Sequence, residues 1–364
     1  MMNYPKVAII ILNYNGWADT IECLESVLRN DYPNYQVIVV DNNSPNNSME
    51  YIKAWAEGKL DVWVNSELPL RHLSFPPVNK PIPYVYYIRN EAERGGKPEF
   101  EESLEDRIPQ GVTTKYPLVF IQTGSNLGYS GGNNIGIAYA LKKRTDYLLI
   151  LNNDTIIKSE TVSTLIEVAE RTKASVVGAL IKDALTQRPV FISSRYPQMF
   201  FYSESQKRVP EMTWWPSDRV EGSAMLLDRK LLLERQQTVG YFLDESLFLY
   251  CEEMELIVWC RQNGKKSVVS GESIVYHKVG ISSGGRGSPI QFYYQTRNRV
   301  LLARRYLRGP LKVCFFVFYP LWRMIRAGIY AAKGRSQIAK SILQGLLDGY
   351  KGRVGEKDIS TTTT

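Results

Sequence analysis

The sequence reads VAIIILNYNG at residues 7–16 and VIVVDNNS at residues 37–44, two apolar runs that each end in a polar turn. Runs of β-branched and aliphatic residues without polar interruption are typical of strands buried on both faces of a sheet. Residues 18–30 and 49–56, which follow the two runs, place apolar side chains at helical spacing. This order of strand, helix, strand and helix predicts an α/β fold with a mostly parallel central sheet flanked by helices.

The alternation of strands and helices is interrupted once. Residues 58–117 contain eight prolines and an acidic stretch, so we assign no strand to them and treat them as an insertion. The alternation resumes with strands at residues 118–122 and 147–151. Between these two strands we expect a glycine-rich loop at residues 124–132 and a helix that begins at Asn133.

Two parts of the chain differ in composition, and we expect them to form separate regions. Residues 1–290 hold the alternating elements and form an α/β domain, whereas residues 291–364 form a helical, basic and aromatic C-terminal extension. From Arg286 to Arg353 the chain has 14 Lys or Arg and one acid, Asp348, although the net charge of the whole chain is only +8. This concentration of positive charge predicts a partner that carries phosphate, either an anionic membrane or a nucleic acid.

Residues 311–332 favour the membrane as the partner. Aromatic and aliphatic side chains form a block beside Lys312, Arg323 and Arg326, which suits the interface of an anionic bilayer. A stacking platform for nucleic acid would alternate aromatic and basic residues instead. We expect Pro320 to prevent one unbroken helix. The alternative is that the block packs on the α/β domain or on a second subunit of a homo-oligomer.

We expect neither a transmembrane helix nor export. The longest uncharged apolar run, residues 313–322, is well below the roughly 18 residues that a transmembrane helix requires. Residues 7–12 are too short for the core of a signal peptide. The four cysteines have neither CxxC spacing nor the density of a disulfide framework, which argues against a zinc ribbon and a small secreted scaffold. We therefore expect a cytoplasmic protein that is held peripherally at the cytoplasmic face of the membrane.

Three polar clusters follow strands at the edge where open parallel sheets bind ligands. They are Asn13–Asn15, Asp41–Ser44 and Asn152–Asp154. The glycine-rich stretch NLGYSGGNN, residues 126–134, opens a helix whose amides can meet a diphosphate. It matches neither the Walker A pattern nor GxGxxG, which argues against an NTPase and against a dehydrogenase.

These motifs resemble the family 2 inverting glycosyltransferases of the nucleotide-sugar-binding GT-A fold, most closely their rhamnosyltransferase-like branch. The matching stretches are VAIIILNYNG, VIVVDNNS, NLGYSGGNNIGI, LLILNNDT, GSAMLLDR, FLYCEEMEL, the histidine of VYHKVG and YYQTRNR. They cover residues 6–56 and about 118–308 in the expected order. The resemblance implies transfer of a sugar, with rhamnose favoured, from a nucleoside-diphosphate donor to a glycan or a lipid-linked acceptor.

The resemblance also implies a donor site at the carboxyl edge of the sheet. Asp41 would bind the nucleobase or ribose of the donor. Asp154 ends NND, in the place of the family's DxD motif, and would hold Mg²⁺ or Mn²⁺ together with His277, although Asn152 replaces the first acid. The donor-binding residues predicted in this way are Asn13, Asn15, Asp41, Asn43, Asn126, Gly128, Asn133, Asn152 and Asn153.

The resemblance places the general base in the segment CEEMEL. The family's motif there is usually Glu, Asp, any residue, Asp, and its second acid is the base, which corresponds to Glu253 with Glu252 as the second choice. Such a base takes the proton from the acceptor hydroxyl as this hydroxyl attacks the anomeric carbon, without a covalent intermediate. We expect Glu252, Glu255 and Trp215 on the acceptor side of the site.

Two other functions are compatible with the sequence. The missing first acid, together with Glu in place of Asp at the base, leaves open a noncatalytic subunit that binds a nucleotide sugar or a carbohydrate. The basic extension alone leaves open nucleic-acid binding, although we expect none. Donor hydrolysis distinguishes the enzyme from the subunit, and salt-dependent DNA binding tests the third function.

Overall fold

The computed structural model describes residues 4–60, 69–195, 204–205, 208–278 and 287–357. The strands are β1 (Val7–Asn13), β2 (Tyr35–Asp41), β3 (Tyr84–Ile88), β4 (Leu118–Gln122), β5 (Tyr147–Asn152), β6 (Thr155–Ile157), β7 (Val176–Asp183), β8 (Pro189–Phe191), β9 (Ser194–Arg195), β10 (Glu204–Ser205), β11 (Trp214–Pro216), β12 (Ala224–Asp228) and β13 (Ser267–His277). The helices are α1 (Trp17–Val27), α2 (Ser48–Ala56), α3 (Arg89–Glu93), α4 (Pro98–Glu102), α5 (Gly128–Lys142), α6 (Thr161–Thr172), α7 (Arg229–Val239), α8 (Glu252–Gln262), α9 (Pro289–Tyr306), α10 (Gly309–Ala332) and α11 (Ser336–Lys351).

The central sheet is mostly parallel, as the sequence predicts. From one edge its strands are β3, β4, β2, β1 and β5, and each neighbouring pair among these five is parallel. Beyond β5, the antiparallel strand β12 lies between β5 and β7, and β13 runs parallel to β7. The two runs that predict the fold, β1 and β2, are adjacent strands, and nearly every side chain on them is buried.

The register of the strands brings the three polar turns to one edge of the sheet. Asn13 at the end of β1 lies opposite Asp41 at the end of β2, and Leu12 lies opposite Asn152 at the end of β5. Because these strands are parallel, their carboxyl ends and the loops that follow them lie side by side. The predicted ligand-binding edge is therefore formed by β1, β2 and β5.

Helix α5 begins at Gly128 and not at Asn133, so much of the predicted glycine-rich loop is helical. Its glycines allow the helix to lie close to the sheet. A Cβ atom on Gly132 would lie 2.4 Å from a methyl group of Leu12, and a Cβ on Gly136 would lie 2.7 Å from a methyl group of Ile10. Larger residues would push α5 away from β1, because the interior has no free space to accept them. These two glycines therefore serve helix packing.

The segment predicted as an insertion extends the sheet. Its strand β3 pairs in parallel with β4 and forms one edge of the sheet, and its acidic stretch supplies α3 and α4. Glu25 on α1 fastens the segment to the domain, since its buried carboxylate accepts bonds from the Val78 amide at 2.7 Å and from Lys80 Nζ at 2.6 Å. A buried carboxylate is tolerated only where donors surround it. The segment is therefore part of the folded domain.

The C-terminal extension consists of α9, α10 and α11, and it packs on the α/β domain. Phe315 and Tyr319 of α10 and Leu346 of α11 share one buried apolar cluster with Val300 of α9 and Met254 of α8. Part of the aromatic block is thus core, which was one of the two alternatives from the sequence. In the ranges that the structure describes, no helix combines the length and the apolarity that crossing a bilayer requires.

Helix α10 continues through Pro320, contrary to the expectation that this proline would end it. A proline lacks the N–H that would bond to the carbonyl four residues earlier, which belongs to Phe316. The hydroxyl of Tyr350 on α11 donates to that carbonyl at 3.1 Å. Helix α11 therefore satisfies the backbone oxygen that the proline leaves without its usual donor.

Candidate active site

The carboxyl end of β1 and β2 is organised around Asp41. Its Oδ1 accepts hydrogen bonds from Asn13 Nδ2 and from Ser44 Oγ, both at 2.6 Å. Its Oδ2 accepts from the Ser44 amide at 3.1 Å and from Gln122 Nε2 at 3.0 Å. The carboxylate is buried and each oxygen is bonded twice, so Asp41 fixes the side chains around it. Direct contact between Asp41 and a donor stays a prediction.

Asn13 and Asn153 link the end of β1 to the loop after β5. Asn153 Nδ2 donates to Thr20 Oγ1 at 3.1 Å and to the Gly16 carbonyl at 3.2 Å. Asn13 Oδ1 accepts from Thr20 Oγ1 at 2.9 Å and from the Gly16 amide at 3.2 Å. The two asparagines are thus brought together, as predicted, and they fix the turn that starts α1.

The amides at the start of α5 are bonded within the protein. Asn42, which the sequence analysis did not single out, accepts from the Leu127 amide at 3.0 Å and donates to Asn126 Oδ1 at 2.9 Å. Asn126 Oδ1 also accepts from the Gly128 amide at 3.0 Å. The next amide, of Tyr129, donates to a carbonyl in the loop before α8 at 2.7 Å. This differs from the expectation that these amides are free to meet a diphosphate.

The remaining predicted donor-binding residues differ in exposure. Asn15 and Asn43 are exposed at the sheet edge, with φ angles of 59° and 60° that asparagine tolerates better than most residues. Asn152 is half-buried at the end of β5. Asn133 is buried in α5, and its Nδ2 donates to the Tyr129 carbonyl one turn earlier. Asn15 and Asn43 are therefore accessible to a ligand, whereas Asn133 is enclosed in the helix packing.

Asp154 and His277, the two predicted metal ligands, lie next to each other. The short strand β6 follows Asp154 and pairs with the end of β13, so that Thr155 lies opposite His277. Asp154 is buried, and its Oδ1 lies 3.0 Å from His277 Nε2. The amide of Lys278 donates to the Asp154 carbonyl at 2.9 Å, which fixes the two segments together. A carboxylate and an imidazole are thus held at one point of the site.

Helix α8 begins with Glu252 and Glu253, which we call the acidic pair. The loop before it has three non-glycine residues with positive φ, namely Phe248 at 62°, Tyr250 at 63° and Cys251 at 74°. Such conformations cost energy and persist where the surrounding structure enforces them. The loop therefore holds the two carboxyl groups in a defined position at the N-terminus of the helix.

The two members of the acidic pair have different surroundings. Glu252 is buried, and its Oε2 has no hydrogen-bond partner within the described ranges. Glu253 is slightly exposed, and its Oε1 lies 3.8 Å from Arg219 Nε. Burial, and then the charge of Glu253, raises the pKa of Glu252 well above its usual value. Burial also raises the pKa of Glu253, and the charge of Arg219 opposes this shift.

Tyr129 interacts electrostatically with the acidic pair and with Asp154. Its hydroxyl donates to the Gly222 carbonyl at 2.7 Å. Burial, and then the charges of several carboxylates including Glu252, Glu253 and Asp154, raises the pKa of Tyr129 well above its usual value. The hydroxyl therefore keeps its proton, and it is within electrostatic reach of both parts of the site. The sequence analysis missed Tyr129 because it read this tyrosine as part of a glycine-rich loop.

Asn298 on α9 clamps the loop before α8. Its buried Nδ2 lies within 2.9 Å of three carbonyl oxygens, those of Leu247, Leu249 and Tyr250. The neighbouring Arg297, also buried, donates to the Leu247 carbonyl at 2.9 Å. The stretch YYQTRNR therefore positions the loop that leads to the acidic pair. The sequence contains no signal of this role, because α9 carries other polar and basic residues as well, among them Gln295, Arg299 and Arg304.

The model of glycosyl transferase family 2 matches residues 8–66 and 99–232, which is more than half of the chain. This chain belongs to glycosyl transferase family 2. Membership of this family confirms the activity expected from the sequence, which is glycosyl transfer from a nucleotide-sugar donor.

Two relatives and one solved structure are similar to this family 2 transferase. It is 26% identical over 252 residues to low-salt glycan biosynthesis hexosyltransferase Agl10 of Haloferax volcanii, with 66% of this chain and 78% of that protein covered. It is 22% identical over 245 residues to dTDP-rhamnosyl transferase RfbF of Shigella flexneri, with 64% and 78% covered. The crystal structure of GalNAc-T7 with UDP, GalNAc and Mn²⁺ has a TM-score of 0.56 at 15% identity, over 88% of this chain. The transferase spans about half of that solved chain, 51%, and it has the expected GT-A fold.

In this family 2 transferase, Glu255 and Trp215 have structural surroundings, which corrects their predicted place on the acceptor side. Glu255 is fully buried and pairs with Arg235 of α7 at 2.6 Å, and the hydroxyls of Tyr241 and Tyr306 also donate to it. Trp215 is buried in the main hydrophobic core. The sequence does not distinguish the three acids of CEEMEL from one another. Only Glu255 pairs with Arg235, and Arg235 lies 20 residues earlier in the chain.

Proposed function

We propose that this transferase moves a hexosyl group from a nucleoside-diphosphate donor to a glycan or lipid-linked acceptor, with inversion in a single displacement. The name of Agl10 supports a hexose donor and a product that is part of a glycan. The name of RfbF supports dTDP-rhamnose as the first donor to test. The sequence favoured the same sugar, so rhamnosyl transfer is the preferred form of this proposal.

The acidic pair is the observation that carries the proposal. Glu252 is the carboxyl group that holds a proton, because it is buried and faces the charge of its neighbour. Glu253 is the carboxyl group that ionises, because Arg219 lies beside it. An ionised Glu253 with a raised pKa suits a general base that works near neutral pH. It accepts the proton of the acceptor hydroxyl while the oxygen attacks the anomeric carbon and the bond to the diphosphate breaks.

Asp154 and His277 together are suitable ligands for Mn²⁺, and the carboxylate of Asp154 is also a suitable ligand for Mg²⁺. Their separation of 3.0 Å matches that of two adjacent ligands on an octahedral ion with bonds of about 2.1 Å. Groups of three or more His, Cys, Asp or Glu suited to a metal are absent from the described part of the chain, so two residues would hold the ion. When bound, such an ion offsets the negative charge of the leaving diphosphate. The Mn²⁺ in the GalNAc-T7 structure supports this choice of metal.

Donor hydrolysis tests the proposed function without a known acceptor. The protein is incubated with dTDP-rhamnose and a panel of other nucleotide hexoses, with Mn²⁺, Mg²⁺ or a chelator, and release of the nucleoside diphosphate is measured. We expect release with one donor and a requirement for a divalent ion. Once a panel of alcohol and glycan acceptors yields a glycoside from that donor, NMR of this glycoside reports its anomeric configuration. A thermal shift with a donor but no release, with or without glycan acceptors, would support the noncatalytic subunit. A product with retained configuration would contradict the single displacement.

A further inference from the structure

Helix α10 exposes a continuous apolar face. Val313, Phe318 and Ile325 are 64%, 61% and 63% exposed, and Leu321 and Ile329 are exposed as well. Their spacing of three to five residues places them on one half of the helix. The helix has 24 residues, so this face is up to about 36 Å long at 1.5 Å per residue. An exposed apolar surface of this extent is typical of a site that meets a partner.

The charged residues of α10 lie on its other half. Arg323 is buried, and its guanidinium donates to the carbonyl of Phe292 on α9 at 3.2 Å. Lys312 Nζ donates to the Arg304 carbonyl at 3.2 Å. Arg326 is half-buried over the ring of Phe292, 5.6 Å from its centroid. The exposed face of this fully described helix is therefore free of charge along its length.

Exposed cations surround the two ends of this apolar face. Arg308 precedes α10, and Lys333 and Arg335 follow it, and all three are exposed. An apolar face flanked by cations matches a lipid surface, whose acyl chains accept the apolar groups and whose anionic headgroups pair with the cations. A second copy of the chain would bring together two regions that each hold 14 basic residues and one acid, and the two would repel each other.

We propose that α10 docks this protein on an anionic lipid bilayer, with the helix axis parallel to the membrane plane. The opposite half of α10 is held against the protein by Phe315 and Tyr319, which are fully buried, so lipid can cover only the exposed half. Helix α9 joins this docking face to the active site, because it receives Arg323 from α10 and its Asn298 clamps the loop before the acidic pair. The proposal is independent of which sugar is transferred.

Cosedimentation of the full-length chain with vesicles tests the docking face. The vesicles contain phosphatidylcholine alone or with increasing phosphatidylglycerol. The double substitution Phe318→Gln with Ile325→Gln removes two exposed apolar groups without changing charge, and Gln is a good helix former. The matched control is Phe100→Gln with Leu185→Gln, two exposed apolar residues in other parts of the molecule. A third variant, Lys333→Gln with Arg335→Gln, removes two flanking cations.

We expect the parent and the matched control to sediment with anionic vesicles, and less at high salt. Phe318 and Ile325 are exposed in the protein and would be buried in the lipid on binding, so their replacement should weaken binding about tenfold or more. Loss of the two cations should weaken binding only with anionic vesicles. Equal urea midpoints and unchanged donor hydrolysis in solution would show that the variants are folded. The proposal fails if the parent stays in the supernatant at low salt, or if the α10 variant binds as the parent does. It also fails if light scattering shows a dimer that the α10 variant dissociates while no vesicle binding occurs.

Discussion

Two groups of buried polar side chains in this transferase differ in how they are bonded. At the carboxyl end of β1 and β2, Asp41 accepts four hydrogen bonds, and Asn13 and Asn153 bond to their neighbours. At the start of α8, an oxygen of Glu252 has no partner in the described ranges, and Glu253 has a guanidinium only at 3.8 Å. The start of α5 links the two places, because the Leu127 amide donates to Asn42 beside Asp41 and the Tyr129 amide donates to the Phe248 carbonyl before α8.

This difference in bonding indicates that the two groups of side chains have different roles. A buried polar group with all its partners fixes one arrangement of its surroundings. A buried carboxyl group without partners costs stability, and such groups are retained where a ligand or a reaction uses them. Under the proposed function, the edge formed by β1 and β2 is the frame of the donor site, and the acidic pair is where the proton transfer occurs. Substitutions at the two places should accordingly affect different properties.

The largest expected effect is on turnover. We expect Glu253→Gln to lower the rate of transfer by about 10² or more while donor affinity is kept, because the general base is lost. Glu252→Gln is the matched control, and it should lower the rate far less, because Gln resembles the protonated carboxyl group. Steady-state kinetics with donor binding by thermal shift measures both. If the two variants exchange these properties, Glu252 is the base and the assignment within the pair is wrong.

The next effect is on stability. Asp41→Asn places an amide where Asn13, Ser44 and Gln122 all donate, so the free energy of unfolding should fall by about 2 kcal/mol. Urea denaturation measures this loss, with Asp31→Asn as the control because Asp31 is exposed. A variant with unchanged stability but weakened donor binding would show that Asp41 serves the ligand and not the frame.

A smaller effect is expected at the pair of Asp154 and His277. Asp154→Asn should weaken the metal-dependent part of donor binding by at least about tenfold, since losing even a supporting residue of a metal site has an effect of this size. Thermal shifts with a nucleotide sugar, recorded with Mn²⁺ and with a chelator, isolate that part. Asp218→Asn is a suitable control, because Asp218 lies on the surface near Arg261. An unchanged response to Mn²⁺ would remove Asp154 from the metal site.

The smallest effect concerns pH and stability. Burial raises the pKa of Glu252 in the folded state, so between its unfolded and folded pKa values the folded chain binds a proton that the unfolded chain has lost. The free energy of unfolding should therefore fall as pH rises through this window, by at most about 1.4 kcal/mol per pH unit. Urea denaturation of the parent and of Glu252→Gln from acidic to neutral pH checks the sign. The variant should lose less stability over that range, and an identical pH dependence would contradict the prediction.

The sequence predicts the central sheet well, because its strands are long apolar runs that end in polar turns. β4 has the predicted bounds, β5 is one residue longer, and β1 and β2 differ from the predicted residues 6–12 and 36–40 by one residue at each end. It does not predict β3, because YVYYI is short and lies between a proline-rich and a charged stretch. Whether this run joins the sheet depends on the free edge of β4, which is a tertiary property.

The candidate site was predicted less completely than the fold. The resemblance to the family named Asp154, His277 and the acidic pair, and the structure places Asp154 beside His277 and the acidic pair at the start of α8, while their roles stay predictions. The motifs do not reveal that Arg235 pairs with Glu255, or that Asn298 reaches the loop before α8. Both contacts join residues that are far apart in the chain, and local spacing carries no information about them.

The bonds from α9 to the loop before α8 have a consequence for recombining members of this family. Because Asn298 and Arg297 donate to carbonyls of residues 247–250, the extension and the loop before α8 are complementary parts. A chimera could receive the extension of another enzyme from Pro289 onward and keep its own loop before α8. The new α9 would then not match the carbonyl groups of that loop. A junction placed ahead of residue 246 transfers the loop and the extension together. Such a hybrid would receive α10 together with the loop and the acidic pair that fit the new extension.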